Sequence, residues 1–479
     1  MIIEIQDVQC RVVSATDDEQ DWIQGYLSFA DSSFRGRKNK RVSLYNALRG
    51  TFPGGLLQLM RDAAVRDGVK LEELDKRVTR VIPDANADVA WLRDYQKDAV
   101  EACVKAKRGI VHAPTGSGKG DMIVGLIRRL PGRWLFLVHR DQLVEQQAKR
   151  FKKINGGLTP NILSRTPPSE WKLNPGVNLM TLQSLAAGIR RDRPGVDKAL
   201  AKLDGLVIDE CHVAPADVYF SAINRCPAEY RFGFSGTPLD RTDNRSLMAI
   251  AALGKVIYRV KAQVLIDAGI LALPRITMVR VKQLPTQDAK DGGFHGLYDE
   301  LIAVSEVRNA RLVEIVKAAP KPCMVFVKII EHGHAMKRLI EEAKISCEFV
   351  WGNTKSEQRS AAIERLERRD ADVMIASVVF QEGVDIPSLE SVVIASGGKS
   401  VIAALQRIGR GMRTNNGTKA TFEVYDVLDV GTVMLEKHSK RRMKTYVREG
   451  YQTIVQDELG TQTLYQPKLM TRREKRIGA

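Results

Sequence analysis

The sequence has no long apolar run and no paired cysteines. No stretch approaches the roughly 18 apolar residues of a membrane span, and Glu4 and Asp7 lie where a signal peptide would be basic and then apolar. The six cysteines are scattered without a C-x-x-C pair, which indicates neither a zinc site nor a disulfide framework. These absences exclude a membrane span and a disulfide scaffold, and they predict a cytoplasmic protein with reduced thiols.

What the sequence has in excess is positive charge. Lys and Arg number 74 against 57 Asp and Glu, which gives a formal net charge of +17 over 479 residues. This charge favours a polyanionic partner over an acidic small substrate, and nucleic acid is the first candidate. The hydrophobic content of 44% is ordinary for a globular chain, and the length indicates about three domains.

Short apolar runs alternate with helical periodicity through most of the chain. The predicted strands form two series, 109–112, 134–138, 177–181, 206–208 and 232–234, then 324–327, 347–350, 373–376, 391–395 and 421–426. Continuous apolar strands between amphipathic helices predict parallel sheets covered on both faces. The sequence therefore predicts an α/β protein with two doubly wound parallel-sheet domains behind a small N-terminal α+β domain.

The predicted domain limits are 1–82, 83–275, 276–455 and a basic tail at 456–479. No element is assigned in 256–284 or 292–310, between the two strand series. The chain after His438, which includes Lys440, Arg441 and Arg442, is basic and is expected to fray.

The strongest chemical signal follows the first strand of the first series. The residues there are Pro114, Thr115, Gly116, Ser117, Gly118, Lys119 and Gly120, and they open a helical segment. Glycines let backbone N–H groups converge on phosphates, the helix N-terminus adds partial positive charge, and Lys119 reaches the outer phosphates. One residue departs from the pattern of such loops, because Gly120 replaces the Ser or Thr whose hydroxyl holds Mg²⁺. A water could take that place.

Two carboxylates end another apolar strand. Asp209 and Glu210 follow Leu206 to Ile208 and are followed by Cys211 and His212. We expect Asp209 to bind Mg²⁺ through water, and Glu210 to orient and deprotonate an attacking water. Taken alone the pair would suit a helix N-cap equally well, but the phosphate loop earlier in the chain favours catalysis.

These motifs resemble the superfamily 2 helicases of the DExH class, whose tetrad reads Asp-Glu-x-His, over about residues 90 to 430. The resemblance implies two RecA-like domains that use ATP and Mg²⁺. It implies that Arg93 and Gln96 belong to an element that reads the adenine base and that Gly383 and Asp385 lie near the nucleotide. It implies arginine fingers at Arg410 and Arg413. It implies coupling between nucleotide and nucleic acid through His212, Ser235, Thr237 and Gln406. It also implies contacts to a nucleic-acid strand by Arg140, Thr181, Gln183, Lys328, Gly352, Ala376 and Ser377.

The first eighty residues resemble the N-terminal domain of UvsW-like phage helicases, which remodel branched DNA. The resemblance rests on Leu27-Ser28-Phe29, a basic turn, and Phe52-Pro53-Gly54-Gly55 before a helix. The basic turn contains Arg37, Lys38 and Lys40, which are expected to contact DNA. An unrelated accessory fold is the alternative, and the core is also similar to XPB-like helicases.

The resemblance implies an ATP-dependent DNA helicase or translocase that unwinds or branch-migrates forked and recombination-intermediate DNA. It also implies 3′-to-5′ movement by a monomer, in the host cytoplasm if the protein is phage-encoded. Two alternatives stay open, an RNA-directed helicase of the same superfamily and a junction scaffold that binds ATP with little hydrolysis because of Gly120. The joint presence of Lys119, Glu210 and both candidate arginine fingers favours a working motor.

Overall fold

A computed structural model describes residues 1–31, 40–77, 82–154, 159–164, 166–239, 243–377, 386, 388–398 and 420–465. The chain divides into two compact units, Met1–Val260 and Lys261–Ala479. Among the described residues, no helix combines the length and the apolar character that crossing a bilayer requires.

The first unit begins with a small α+β segment. It consists of β1 (Ile2–Ile5), β2 (Gln9–Ser14), α1 (Asp17–Tyr26), β3 (Ser28–Asp31), β4 (Lys40–Ser43), β5 (Thr51–Pro53), a 3-10 turn (Gly54–Leu56), α2 (Leu57–Asp67) and β6 (Glu72–Asp75). Its main sheet has the order β5-β2-β1-β6, and β3 pairs with β4 in a separate ribbon. α1 starts at a capping box in which the Thr16 hydroxyl accepts from Glu19 N and the Glu19 carboxylate accepts from Thr16 N.

The rest of the first unit is a parallel sheet with connecting helices. Its elements are α3 (Asp94–Ala106), β7 (Arg108–His112), α4 (Lys119–Arg129), β8 (Arg133–Val138), α5 (Asp141–Lys153), β9 (Asn161–Ile162), β10 (Gly176–Thr181), α6 (Leu182–Arg191), α7 (Arg193–Leu200), β11 (Gly205–Asp209), α8 (Asp217–Asn224), β12 (Tyr230–Ser235), α9 (Ser246–Leu253) and β13 (Val256–Arg259). The order is β13-β7-β12-β11-β8-β10-β9. β11 and β12 are buried along their whole length, because helices must cover both faces of a parallel sheet.

The N-terminal segment packs on the first parallel-sheet domain through α9. Ile250 and Ala251 join the apolar core formed by β1, β2 and α2. Arg245 forms an ion pair with the fully buried Asp31 at 2.7 Å. A Cβ on Gly55 would lie 2.3 Å from the Ile250 carbonyl oxygen, so this close backbone approach requires glycine.

The second unit contains another sheet of the same kind. Its elements are α10 (Ala262–Asp267), β14 (Leu273–Lys282), α11 (Gln287–Asp291), α12 (Gly293–Tyr298), a π-helical turn (Asp299–Ala303), α13 (Glu306–Ala318), β15 (Cys323–Phe326), α14 (Ile330–Glu342), β16 (Cys347–Val350), α15 (Ser356–Glu367), β17 (Val373–Ala376), β18 (Ser391–Ile394), β19 (Thr421–Val430), α16 (Val433–Arg448), β20 (Gln452–Gln456) and β21 (Gln462–Leu464). The order is β16-β17-β15-β18-β19-β14-β20-β21. Its pairs are parallel except for β20 with β21.

The prediction of two doubly wound parallel-sheet domains with a small N-terminal α+β domain is confirmed, and every strand of both predicted series is present within a few residues. The sequence missed β14, a ten-residue strand inside the segment left unassigned. The expected fraying after His438 is wrong as far as Arg448, because α16 continues there and buries Arg442 and Tyr446. The predicted domain limits stay a proposal.

Candidate functional site

The glycine-rich loop joins the carboxyl end of β7 to α4. Gly116 and Gly118 have φ of 88° and 76°, in the left-handed region that glycine adopts without strain. A Cβ on Gly118 would lie 2.3 Å from Nε2 of Gln96. The loop conformation therefore depends on glycine at this position, and Lys119 starts α4 directly after it.

Four side chains meet beside this loop at the carboxyl ends of β11 and β12. Nζ of Lys119 lies 3.3 Å from Oε1 of Glu210. Oε2 of Glu210 lies 3.2 Å from Nδ1 of His212 and accepts from the Ser235 hydroxyl at 3.3 Å. The Ser235 hydroxyl also lies 3.2 Å from Nδ1 of His212. The structure thus connects the loop lysine to the candidate coupling residues through one carboxylate.

The two neighbouring carboxyl groups are held in different electrostatic states. Burial and the charge of Glu210 raise the pKa of Asp209. Burial would also raise the pKa of Glu210, but Lys119 and the His212 hydrogen bond outweigh it and hold that pKa well below its usual range. Glu210 is therefore ionised at neutral pH. Asp209 is a buried carboxyl whose ionised form a nearby cation would stabilise.

The backbone at Glu210 is also unusual. This residue has φ of 51°, in the left-handed region that non-glycine residues rarely adopt. Its N–H donates to Oδ1 of Asp209 at 3.0 Å. The turn directs the two consecutive carboxylates to different partners, Glu210 to Lys119 and His212, and Asp209 to the backbone N–H of Glu210.

The candidate adenine-contacting residues lie at the start of α3. Gln96 is buried, its Nε2 donates to the Ser117 carbonyl at 3.0 Å, and its Oε1 accepts from Arg93 N at 2.9 Å. Tyr95, which the sequence did not single out, donates to the same Ser117 carbonyl at 3.0 Å. These hydrogen bonds brace the phosphate loop from α3, and a role of Gln96 and the exposed Arg93 towards adenine stays a prediction.

Two buried hydroxyls near the loop have no hydrogen-bond partner among the described residues. They are Oγ of Ser117 and Oγ1 of Thr237, and both residues are almost fully buried. A buried hydroxyl without a partner is costly, so a ligand that offers oxygen acceptors would stabilise them. Together with the Lys119 charge and the glycine cradle, they fit the phosphates of a nucleotide.

The site offers few protein ligands for a divalent cation. Asp209 is the candidate ligand, and no group of three or more His, Cys, Asp or Glu that could hold a metal occurs in the described part of the chain. This donor set suits Mg²⁺, which usually keeps several waters and takes one or two protein carboxylates together with phosphate oxygens.

A side chain from another helix fills the space that a side chain at position 120 would occupy. A Cβ built on Gly120 would lie 1.6 Å from Nη1 of Arg150 in α5. Nε of Arg150 lies 3.5 Å from Oδ1 of Asp121. Sequence reasoning missed Arg150, because the only local signal was the absence of a hydroxyl at Gly120.

Three of the candidate strand-contacting residues lie at the carboxyl ends of β8 and β10 in the first sheet. Arg140 caps α5 directly after β8, and Thr181 ends β10 and caps α6 by accepting from Ser184 N at 3.0 Å. Gln183 is exposed, and its Nε2 donates to the His139 carbonyl at 2.8 Å. The structure brings these candidates to one edge, although Thr181 is largely buried and engaged in its cap.

The candidates in the second unit lie at the carboxyl ends of β15, β16 and β17, which are adjacent strands. Nζ of Lys328 lies 4.8 Å from the ring centroid of Tyr298 and 5.4 Å from that of Phe294. Gly352 is exposed, whereas Ala376 and Ser377 are buried. The sequence missed both aromatic rings, which lie in the segment it left unassigned and hold Lys328 by cation–π contacts.

Some predicted site residues lie outside the described residues. These are Arg37, Lys38, Gly383, Asp385, Gln406, Arg410 and Arg413; Lys40 lies in β4, but its side chain is not described. Their predicted roles stay predictions.

Two family models match this chain. Residues 90–240 match the res subunit of type III restriction enzymes, and residues 307–415 match the helicase conserved C-terminal domain. The two matched ranges contain the phosphate loop and the carboxylate motif in the first unit, and all the candidate residues of the second unit.

Similar proteins include a helicase of a phage and a translocase of an archaeon. The ATP-dependent DNA helicase uvsW of Enterobacteria phage T4 is 27% identical over 381 residues, covering 74% of this chain and 72% of its own length. The DNA 3′-5′ translocase XPB2 of Sulfurisphaera tokodaii is 24% identical over 378 residues, covering 70% and 82%. Three other relatives are matched over only 52% to 68% of their own length.

One solved structure supports the fold. The ATP-dependent Type ISP restriction-modification enzyme LlaBIII bound to DNA aligns with a TM-score of 0.54 at 15% identity, over 82% of this chain and 32% of that chain. At this identity the likeness concerns the fold alone.

Proposed function

The chain belongs to the superfamily 2 helicases, and on that premise we propose that it is an ATP-dependent DNA helicase or translocase. The observation that carries the proposal is the continuous contact from Lys119 through Glu210 to His212 and Ser235. It links a phosphate-binding lysine to residues one strand away, as a motor that couples nucleotide hydrolysis to movement requires. A protein that bound nucleic acid by charge alone would have no use for this arrangement.

Glu210 is the proposed base. Its depressed pKa keeps it ionised, and Lys119 lies 3.3 Å from its Oε1. When a nucleotide binds, Lys119 leaves Glu210 and contacts phosphate oxygens instead. His212 and Ser235 keep the Glu210 carboxylate oriented towards the attacking water. Mg²⁺ held by Asp209 through water would neutralise phosphate charge.

Arg410 and Arg413 are the proposed arginine fingers, and they would stabilise charge on the γ-phosphoryl group. A nucleotide that bridges two domains favours a closed arrangement, and hydrolysis removes the bridge, so two grips on a nucleic-acid backbone can move alternately. Arg140 and Gln183 are proposed for the first grip and Lys328 for the second.

The proposed substrate is forked or recombination-intermediate DNA, unwound or branch-migrated in the 3′-to-5′ direction by a monomer. Support comes from the similarity to the phage DNA helicase and to the archaeal 3′-5′ translocase, and from the net charge of +17. Arg37, Lys38 and Lys40 are proposed to contact DNA phosphates. Neutralising them should reduce the salt dependence of junction binding by about one unit of log–log slope per lost contact.

The test is steady-state ATP hydrolysis with Mg²⁺ in four parallel reactions, without nucleic acid, with single-stranded DNA, with a four-way DNA junction and with an RNA of matched length. We expect DNA to stimulate hydrolysis, most strongly as the junction. Stimulation by RNA alone would replace the proposal with an RNA-directed helicase. Absence of hydrolysis in all four would leave a nucleotide-binding scaffold.

A further inference from the structure

Arg150 and Gly120 form a complementary pair at the phosphate loop. The Cβ that any other residue would carry at position 120 falls 1.6 Å from Nη1 and 2.7 Å from Cζ of Arg150. The guanidinium therefore fills the space in which loops of this pattern carry the hydroxyl side chain that holds Mg²⁺. The Arg150 cation therefore lies where the missing hydroxyl would otherwise be.

The guanidinium is held in an orientation that leaves donors available. Its Nε lies 3.5 Å from Oδ1 of Asp121, and the Arg150 and Asp121 side chains are 33% and 36% exposed. The opposite edge, with Nη1, is directed at Gly120. Because a guanidinium has five donors in a rigid fork, one edge can pair with a carboxylate while the other edge binds an oxyanion.

We infer that Arg150 is a nucleotide-contacting residue, whose guanidinium donates to phosphate oxygens beside Gly120, where related loops place a metal-bound hydroxyl. The inference rests on the proposed function, because it requires ATP at this loop. A fixed cation at that place takes over part of the neutralisation that Mg²⁺ provides elsewhere. ATP binding by this chain is therefore less dependent on Mg²⁺ than the glycine alone would suggest.

The alternative is an ion pair that only joins α5 to α4. The two interpretations differ in what the loss of Arg150 removes. A nucleotide contact determines ATP affinity, whereas a partly exposed ion pair contributes little to stability and nothing to affinity.

The experiment measures binding of a fluorescently labelled ATP to the full-length protein, once with EDTA and once with Mg²⁺. Arg150→Gln should weaken binding in EDTA by about tenfold or more, the size expected for a lost charge-assisted hydrogen bond. The matched control is Lys149→Gln, which removes an exposed cation from the same helix and should leave affinity unchanged. Melting temperatures show whether each variant folds.

Gly120→Ala provides a second and independent variant. Its methyl group would displace the guanidinium, so we expect a similar loss of affinity in EDTA. The double variant with Arg150→Gln should bind no more weakly than either single variant, because both changes remove the same contact. Additive losses would contradict the pairing. If Arg150→Gln does not fold, wild-type affinity of Gly120→Ala in EDTA would overturn the inference.

Lys119→Ala separates failure of the inference from failure of the proposed function. If Lys119→Ala loses ATP binding but Arg150→Gln binds like the wild type, the inference is wrong and the nucleotide site stands. If Lys119→Ala also binds ATP like the wild type, the loop is not a nucleotide site and both proposals fall.

Discussion

The two parallel sheets both carry acidic side chains on or directly after their strands, but they use them differently. In the first sheet Glu210 is 23% exposed, and its partners are the charged Lys119 and the ring of His212. In the second sheet Asp426 is fully buried and accepts from Nε and Nη2 of Arg442 at 2.7 and 2.8 Å. One carboxylate is accessible to a ligand, whereas the other is enclosed by the protein.

Asp426 has further partners within the second unit. Tyr446 donates its hydroxyl to Oδ2 at 2.7 Å, and Val427 N donates to Oδ1 at 2.7 Å. The same strand carries the acidic member of a second buried pair, Asp429, which lies 2.8 Å from Arg308 of α13. An acidic residue on or directly after a parallel strand therefore indicates a reactive site only where the fold leaves its charge incompletely compensated.

The largest expected effect is on chemistry in the first sheet. Glu210→Gln should lower ATP hydrolysis about a thousandfold, within the range for removal of a general base, because the amide cannot accept the proton of water. The melting temperature should change little, since Glu210 is partly exposed. Steady-state hydrolysis and thermal unfolding measure the two effects. Retained turnover would show that Glu210 is not the base.

In the second sheet the largest expected effect is a loss of stability, not of activity. Arg442→Met should lower the free energy of unfolding by about 3 to 5 kcal/mol, because it leaves the buried Asp426 without its counter-charge. Denaturant unfolding followed by far-UV circular dichroism measures this change. Lys440→Met on the same helix is the control, since its pair with Glu436 is exposed. Equal stability of the two variants would contradict the distinction between the sheets.

A third prediction concerns acid sensitivity in the second unit. Burial, with a smaller effect of Arg308, lowers the pKa of His332 from 6.5 to about 3. Below about pH 6.5 the unfolded chain binds a proton that the folded chain does not, so this residue lowers stability by about 1.4 kcal/mol per pH unit down to about pH 3. Above pH 6.5 its contribution is constant.

His332→Gln should remove this part of the pH dependence. Glutamine can keep the hydrogen bond that His332 forms with Asn309 at 3.0 Å, so folding is expected to survive. Urea unfolding at several values between pH 4 and 7 compares the slopes, with the exposed His295→Gln as the control. An unchanged slope in His332→Gln would show that the ring is protonated in the folded state.

The smallest effect is expected at the surface. Arg365 pairs with Glu348 at 2.7 Å, a distance like that of the buried pairs, but the two side chains are 45% and 31% exposed. Arg365→Ala should leave the free energy of unfolding, measured by denaturant unfolding, nearly unchanged, because solvent screens this pair. A loss as large as that of Arg442→Met would show that distance, and not burial, sets the strength of these pairs.

The sequence alone predicted the α/β architecture and the loop from Pro114 to Gly120, because continuous apolar strands and glycine spacing are local patterns. It did not predict β14, whose ten residues lie beyond the first strand series, because its partners β19 and β20 come more than a hundred residues later in the chain. It interpreted Arg442 as part of a fraying basic run, since basic runs are usually solvated.

The sequence by itself determined which residue types stand at the phosphate loop and after β11, and hence the chemistry that can occur there. Only the tertiary structure decided that Arg150 fills the place beside Gly120, that Glu210 joins Lys119 to His212, and that Arg442 is buried against Asp426. The physical reason is that the strength of an interaction between charged groups depends on their burial and on partners from distant parts of the chain. Neither quantity is a property of a local sequence pattern.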